Sequence, residues 1–344
     1  MSQPHKPSQG KAVTAVMDID TLIPLSLSPW GLEEYSSLGG HKYLLLDFEA
    51  ELAFDTIESL QRMIPRLRNL PCPVIAIGSV PESLHRAVDV VVETASDSDS
   101  MIRNIIAHPI AAMTLVQLLR HNEYADSYQG LMAESLAYAT LQGGRERSAA
   151  PRPDPDADKR LWQSDSPVRV NRNGSELEIV LNRPQTRNAY SALMRDGLFD
   201  ALQLLRTDTS FTKGVIRGEG SCFSIGGDLN EFGSVDDAAT AHAIRSSRNV
   251  GQSLFELREK LEFRLHRACI GAGIELPAFA ARVVADRCTF MQLPEIKMGL
   301  LPGAGGTVSI TQRIGRHRTA YMALSARKIK ARTALEWGLI DAIV

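Results

Sequence analysis

Residues 143–167, GGRERSAAPRPDPDADKRLWQSDSP, constrain this chain more than any other stretch, because proline, alanine and charge replace every hydrophobic period there. Such a segment cannot run through a packed core. Whatever folds must fold on either side of it, joined by a linker of about 25 residues, enough for docking in cis or on a neighbouring copy. The 344-residue length agrees with two regions, since single cores stop growing at about 250–300 residues.

Upstream, in residues 1–142, Tyr43 to Phe48 reads as a buried strand. Ile57, Leu60, Ile64 and Leu67 then fall on one helical face, before a second short strand from Pro73 to Gly78. That is one βαβ unit, and Val88 to Val92 supplies a third strand. From Met101 to Gln142 the periodicity is helical, with Pro109 and Gly130 as expected breaks.

Downstream, in residues 168–344, Leu177, Ile179 and Leu181 alternate with polar residues, and Leu193, Leu198, Leu202 and Leu205 mark an amphipathic helix. Lys213 to Arg217 is a strand running into a glycine-rich turn. Strands alternating with helices predict an α/β fold whose sites lie at strand-to-helix turns.

Composition excludes several functions. Lys+Arg 38 against Asp+Glu 40 gives a net charge of -2, so no global field draws in nucleic acid or an anionic membrane. Cys72, Cys222, Cys269 and Cys288 form no CxxC pair and have no histidine at zinc-ligand spacing, which predicts a reducing compartment and no structural metal. The first twenty residues lack an apolar run of signal-peptide length, and nowhere do 18 apolar residues follow one another, so the expected location is cytoplasmic.

Three segments could carry chemistry. In Gly218 to Leu229, GEGSCFSIGGDL, adjacent glycines let backbone N–H groups point into a concavity. No GxGxxG or GxxxxGK is present to favour a nucleotide there, and a tight turn is the plainer reading. In Cys269 to Leu276, CIGAGIEL, glycines precede the alanine-rich PAFAARVVA, which reads as a helix opening near Pro277. A helix start offers free N–H groups to a developing oxyanion, and Glu275 in its first turn is equally well a surface residue complementing the dipole. In MQLPEIKMGLLPGAGGT, residues 291–307, Glu295 stands in a largely apolar run where a carboxylate is costly to bury unless partnered or protonated. It is either an acid or base, or a solvated loop residue.

Taken in order, LNRPQTRNAYSALM, GEGSCFSIGGDL, CIGAGIEL and LPEIKMGLLPGAGGT resemble the motifs of the enoyl-CoA hydratase/isomerase (crotonase) superfamily over residues 168–344, and the final WGLIDAIV resembles its GLVD strand region. The resemblance implies a spiral of repeated ββα units and an acyl-CoA substrate, with no metal or redox cofactor. It also implies a homotrimer or a hexamer built as a dimer of trimers. The N–H groups of Gly227 and Ala272 would hold the thioester oxygen. Arg187, Asn188, Ala189, Ile225, Gly226 and Asp228 would lie along the coenzyme A path, largely through backbone. Glu275 and Glu295 match both acidic positions of the hydratases. Hydration of a conjugated enoyl thioester needs a base for the water, a proton for Cα and stabilisation of the enolate, and two carboxylates with two N–H donors supply all three.

The chain departs from the pattern in places. Arg267 replaces a glycine before CIGAGIEL, the strand LEFRLHRA is unusually polar, and Ala281 stands where the family carries an aspartate. His266 reads as a structural residue. Arg316, His317, Arg318, Arg327, Lys328, Lys330 and Arg332 read as a solvated basic face, with a lesser alternative in which one or two meet a coenzyme A phosphate. The family continues past the point matching Val344 into helices that cover the acyl pocket, and residues 83–142 resemble that piece. The N-terminal region is therefore expected to be a displaced or duplicated crotonase half packing over the catalytic part. The favoured activity is enoyl-CoA hydration; the alternatives are a double-bond isomerase or other thioester-enolate enzyme, and a non-catalytic acyl-CoA-binding subunit.

Overall fold

The computed structural model describes residues 16–17, 19–27, 30, 32–49, 53–147, 166–231 and 237–344, so most of the expected linker lies outside the described residues. The N-terminal region runs α1 (Ile19–Leu27), β1 (Leu44–Phe48), α2 (Phe54–Arg68), β2 (Val74–Gly78), β3 (Val90–Val92), α3 (Ala95–Ala107), α4 (Pro109–Asn122) and α5 (Ser127–Gln142). β1, β2 and β3 form a parallel three-stranded sheet in that order. Successive strand residues point to opposite faces. Leu44, Leu46, Phe48, Val74 and Ala76 accordingly pack with Leu22, Leu60, Met63 and Leu67 of α1 and α2. Leu45, Ile75, Ile77, Val90 and Val92 face the other way and join a core continuous with the second half of the chain.

Pro109 ends one helix and starts the next, as expected: it occupies the first turn of α4, and α3 and α4 meet at 112°. Gly130 is not a break. It lies in the first turn of α5, which Asp126 caps, and a Cβ there would come within 2.8 Å of Val308 Cγ2. The glycine serves close helix packing, a requirement invisible in local periodicity.

The second half contributes β4 (Val168–Asn173), β5 (Glu176–Leu181), α6 (Ala192–Thr207), β6 (Lys213–Gly218), α7 (Ala238–Ser247), α8 (Val250–Leu257), β7 (Leu261–Leu265), β8 (Ala268–Ile270), α9 (Ala272–Glu275), β9 (Arg282–Ala285), β10 (Phe290–Gln292), α10 (Gly306–Ser325), β11 (Ile329–Lys330), α11 (Ala331–Trp337) and β12 (Ala342–Ile343). Six strands form one sheet in the order β12-β9-β7-β6-β5-β4, parallel except for the β4/β5 hairpin. β11-β10-β8 form a second, smaller sheet. The architecture is the expected α/β spiral with an additional N-terminal α/β and helical region.

Two local expectations need correction. PAFAARVVA does not continue a helix: α9 lasts four residues, Pro277–Phe279 make a 3-10 turn, and Arg282–Ala285 is strand. Proline withholds a helical N–H, and the paired valines favour the sheet. The basic face near the C-terminus is not uniformly solvated, because the Arg316 side chain is 4% exposed and bonds Asp89 at 2.9 Å and Glu123 at 2.9 Å. Asp89 also accepts from Arg120 Nε (2.9 Å) and Val74 N (2.8 Å), so one buried carboxylate ties β2, α4 and α10 together.

The polar strand β7 resolves simply. Phe263 and Leu265 are buried, while Glu262 is covered by Lys213, Arg264 and Arg282 on the other face. Arg267 has φ 55, in the left-handed region that favours glycine, and His266 Nε2 meets Gly220 O at 3.1 Å.

Candidate active site

Two backbone turns are locked side by side. Ser224 N donates to Ala268 O (3.2 Å) and Ile270 N to Ser224 O (3.1 Å), which bridges the turn after β6 to β8. Gly226 has φ 89, and a Cβ there would stand 2.7 Å from Ile270 O and 3.5 Å from Gly271 Cα, so only glycine lets the turns approach this closely. On the far side of Gly227, Tyr190 N donates to Gly226 O (2.7 Å) and Asp228 N to Tyr190 O (3.2 Å). Those bonds use the neighbours of Gly227 and leave its own N–H facing away from Tyr190. Ala272, the first residue of α9, likewise donates to no acceptor among the described residues.

Glu275 and Glu295 meet at Gly271. A Cβ on Gly271, which has φ 50, would lie 2.5 Å from Glu295 Oε1 and 3.7 Å from Glu275 Oε1. Glu275 is 2% exposed and its Oε2 accepts from Ala304 N (2.8 Å) and Gly306 N (3.0 Å). Burial, then the fields of Glu295 and Glu134, push its pKa well above the usual carboxylate range, while the two N–H donors pull the other way. Glu295 is 9% exposed, its Oε2 has no hydrogen-bond partner among the described residues, and burial pushes its pKa up to about 8.

A third carboxylate completes the arrangement. Glu134 of α5 accepts from Gly305 N (2.6 Å) through Oε1, and from Thr307 N (2.9 Å) and Thr307 Oγ1 (2.6 Å) through Oε2. Burial raises its pKa to about 7 against those donors. The loop that orients Glu275 is therefore also held from the N-terminal region.

Glu275 and Glu295 border a cleft of about 1250 Å³, and Glu134 lies behind its wall. Arg187, Ala189, Ile225, Gly226, Gly227, Asp228, Ala272, Glu275 and Glu295 all line it. Asn188 does not. It is fully buried, and its side chain accepts from Arg183 N (2.8 Å) and donates to Glu219 O (2.9 Å), Cys222 O and Phe223 O, bracing the turn from behind. Arg187 and Asn188 both have φ near 50, which makes the bend that exposes Arg187.

Sequence reasoning missed Glu134, Tyr138 and Arg245. Tyr138 and Arg245 line the cleft, and Tyr138 packs so tightly on Gly303 that any Cβ there would collide with its ring. The available signal for Glu134 was a lone carboxylate among the buried α5 positions Leu131, Ser135 and Tyr138.

Comparison with known proteins agrees with this geometry. Residues 171–344 match the family model described as enoyl-CoA hydratase/isomerase. The chain is 35% identical over 172 residues to the 2,3-dehydroadipyl-CoA hydratase of Escherichia coli (strain K12), covering 50% of this chain and 67% of that one. It is 28% identical over 172 residues to the enoyl-CoA isomerase/hydratase fer4 of Mycosarcoma maydis, covering 47% of this chain but only 63% of the relative. Among solved structures, the enoyl-CoA hydratase from Thermoplasma volcanium GSS1 aligns with a TM-score of 0.50 at 31% identity, covering 54% of this chain and 74% of that one. With its motifs, its α/β spiral and its matched region in agreement, this chain belongs to the enoyl-CoA hydratase/isomerase family.

Proposed function

We propose that the protein adds water reversibly across the double bond of a 2-enoyl-CoA thioester. The observation that carries this reading is the pairing of two buried carboxylates with opposite surroundings on one cleft wall. Glu275 has two N–H donors at the start of α10, which favour its anion, and Glu295 has an unpartnered Oε2, which favours its acid. Burial raises the pKa of both carboxyls, so the pair keeps a proton readily, and we assign that proton to Glu295, whose Oε2 accepts no hydrogen bond among the described residues.

The reaction follows from that asymmetry. Glu275 takes a proton from water as its oxygen bonds to Cβ. The C=C electron pair moves toward the thioester oxygen, which the N–H groups of Gly227 and Ala272 hold. Glu295 delivers its proton to Cα as the enolate collapses. The pair ends with the proton on Glu275, and exchange through the next water resets it. Removing either carboxyl in such a scheme costs about 10²–10⁴-fold in rate. Arg187, Ala189, Ile225, Gly226 and Asp228 would guide the coenzyme A arm, with Tyr138 and Gln142 of α5 forming part of the cleft wall.

A double-bond isomerase needs only one carboxyl to shuttle a proton between carbons, and the fully retained pair favours hydration over it. The test is the fall in enoyl-thioester ultraviolet absorbance on a panel of 2-enoyl-CoAs, with Glu275→Gln and Glu295→Gln alongside. Collapse in both variants supports the hydratase. Turnover of 3-enoyl-CoAs that survives Glu275→Gln overturns it in favour of the isomerase.

A further inference from the structure

Arg245 stands on α7 in the cleft wall with its guanidinium 4.3 Å from the centroid of the Tyr138 ring. Its donors reach Gln142 Oε1 (2.6 Å) and Ala241 O (3.1 Å), both uncharged. The side chain is half-buried, and burial works against its charge. No carboxylate among the described residues lies within ion-pair distance of it, whereas Arg195 of the same cleft pairs with Asp196 at 2.9 Å. Tyr138 and Glu134 offset part of the cost of burying this cation, and an anion bound at the guanidinium would offset more of it.

The position of Arg245 tells which part of a substrate it would meet. One face of the Tyr138 ring carries Arg245, while the ring edge packs on Gly303, whose neighbour Ala304 holds Glu275. Arg245 is thus one aromatic ring removed from the reacting carboxyls, on the α5 and α7 side of the cleft. Ala241, Ile244 and Met298 add apolar wall to the same cleft. An acyl chain lying on that wall would end at a planar guanidinium suited to bidentate recognition of a carboxylate. Glu275 and Glu295 would repel an anionic chain end unless a cation received it.

We propose that Arg245, framed by Tyr138 and Gln142, binds an anionic terminus of the acyl group, so that the preferred substrates are enoyl thioesters whose far end carries a carboxylate. This rests on the enoyl-thioester reading of the site, and the test separates the two. Calorimetry compares saturated acyl-CoAs of equal chain length ending in carboxylate or methyl, which requires no turnover, and kcat/KM is measured on the matching 2-enoyl-CoAs. The expected preference for the carboxylate series is on the order of 10²-fold at the best chain length. It should shrink to within a few-fold of unity in Arg245→Gln and be partly retained in Arg245→Lys, with both variants checked for an unchanged melting temperature. Equal binding of the two series by the wild type, or a preference that survives Arg245→Gln, overturns the proposal. Preferential binding without turnover of any enoyl substrate upholds the subsite and defeats the hydratase reading instead.

Discussion

Glu134 and Glu275 take the four successive N–H groups of residues 304–307 in alternation: Ala304 and Gly306 donate to Glu275, Gly305 and Thr307 to Glu134. The two carboxyls hold one turn from opposite sides, and that turn is the start of α10. Disturbing either must disturb the other. Hydrogen bonds to a charged group are each worth about 1.5–3 kcal/mol. Glu134→Gln replaces one acceptor oxygen with a donor that opposes a backbone N–H, so the melting temperature should fall and kcat should drop at least about tenfold with KM little changed. Thermal melts and steady-state kinetics check this. A variant with wild-type values in both would show that Glu134 does not position Glu275.

The buried pair also sets a pH dependence. Glu295 has a folded pKa of about 8, above its ordinary value near 4.5, chiefly through burial. A raised carboxyl pKa contributes stability that is fully present below the unfolded value and is lost as pH rises through about 8. Melting temperature should therefore decline between pH 5 and pH 9, and Glu295→Gln should flatten part of that decline. Because Glu295 must hold a proton to deliver it, kcat should also fall on the alkaline side, near pH 8. A kcat that keeps rising to pH 9.5 would remove Glu295 from the acid role.

Much of this was legible in sequence because it is local. Short apolar runs in YLLLDF, PVIAIG and KGVIR located three strands, and the glycines of GEGSCFSIGGDL and CIGAGIEL marked the turns that present Gly227 and Ala272. What escaped is nonlocal. Arg316 looks solvated until its partner Asp89, 227 residues away, is seen beneath it. Gly130 looks like a helix break until Val308 is packed against it. Glu134 draws no attention within α5 until the turn it satisfies arrives from residues 305–307. Asn188 matches a substrate-lining position by motif, yet its hydrogen bonds are all made behind the wall.

Gly271 offers a narrower test. At φ 50 a side chain is strained, and a Cβ would stand 2.5 Å from Glu295 Oε1. Gly271→Ala should therefore destabilise the fold by about 1–3 kcal/mol, from the backbone strain alone. It should also lower kcat by more than Gly315→Ala, where φ is 78 but nothing lies within 4 Å. The comparison isolates the collision with Glu295 from the conformational cost, since both glycines carry the latter. Equal kinetic effects from the two substitutions would mean that the catalytic pair tolerates displacement at Gly271.

Asp89 forms a buried charge junction outside the cleft. It is 2% exposed and faces two arginines, Arg120 and Arg316, that are themselves nearly buried. Removing one partner of a buried charge network leaves the others uncompensated, at a cost of about 3–5 kcal/mol. Asp89→Asn should shift the urea midpoint down accordingly and speed amide exchange in α3–α5, because α10 reaches the N-terminal region through Arg316. Those helices carry Glu134 and Tyr138, so kcat should fall with the loss of protection, and conditions that restore protection should restore rate. Unchanged exchange in residues 95–142 alongside an unchanged midpoint would show that the apolar core alone holds the two regions together.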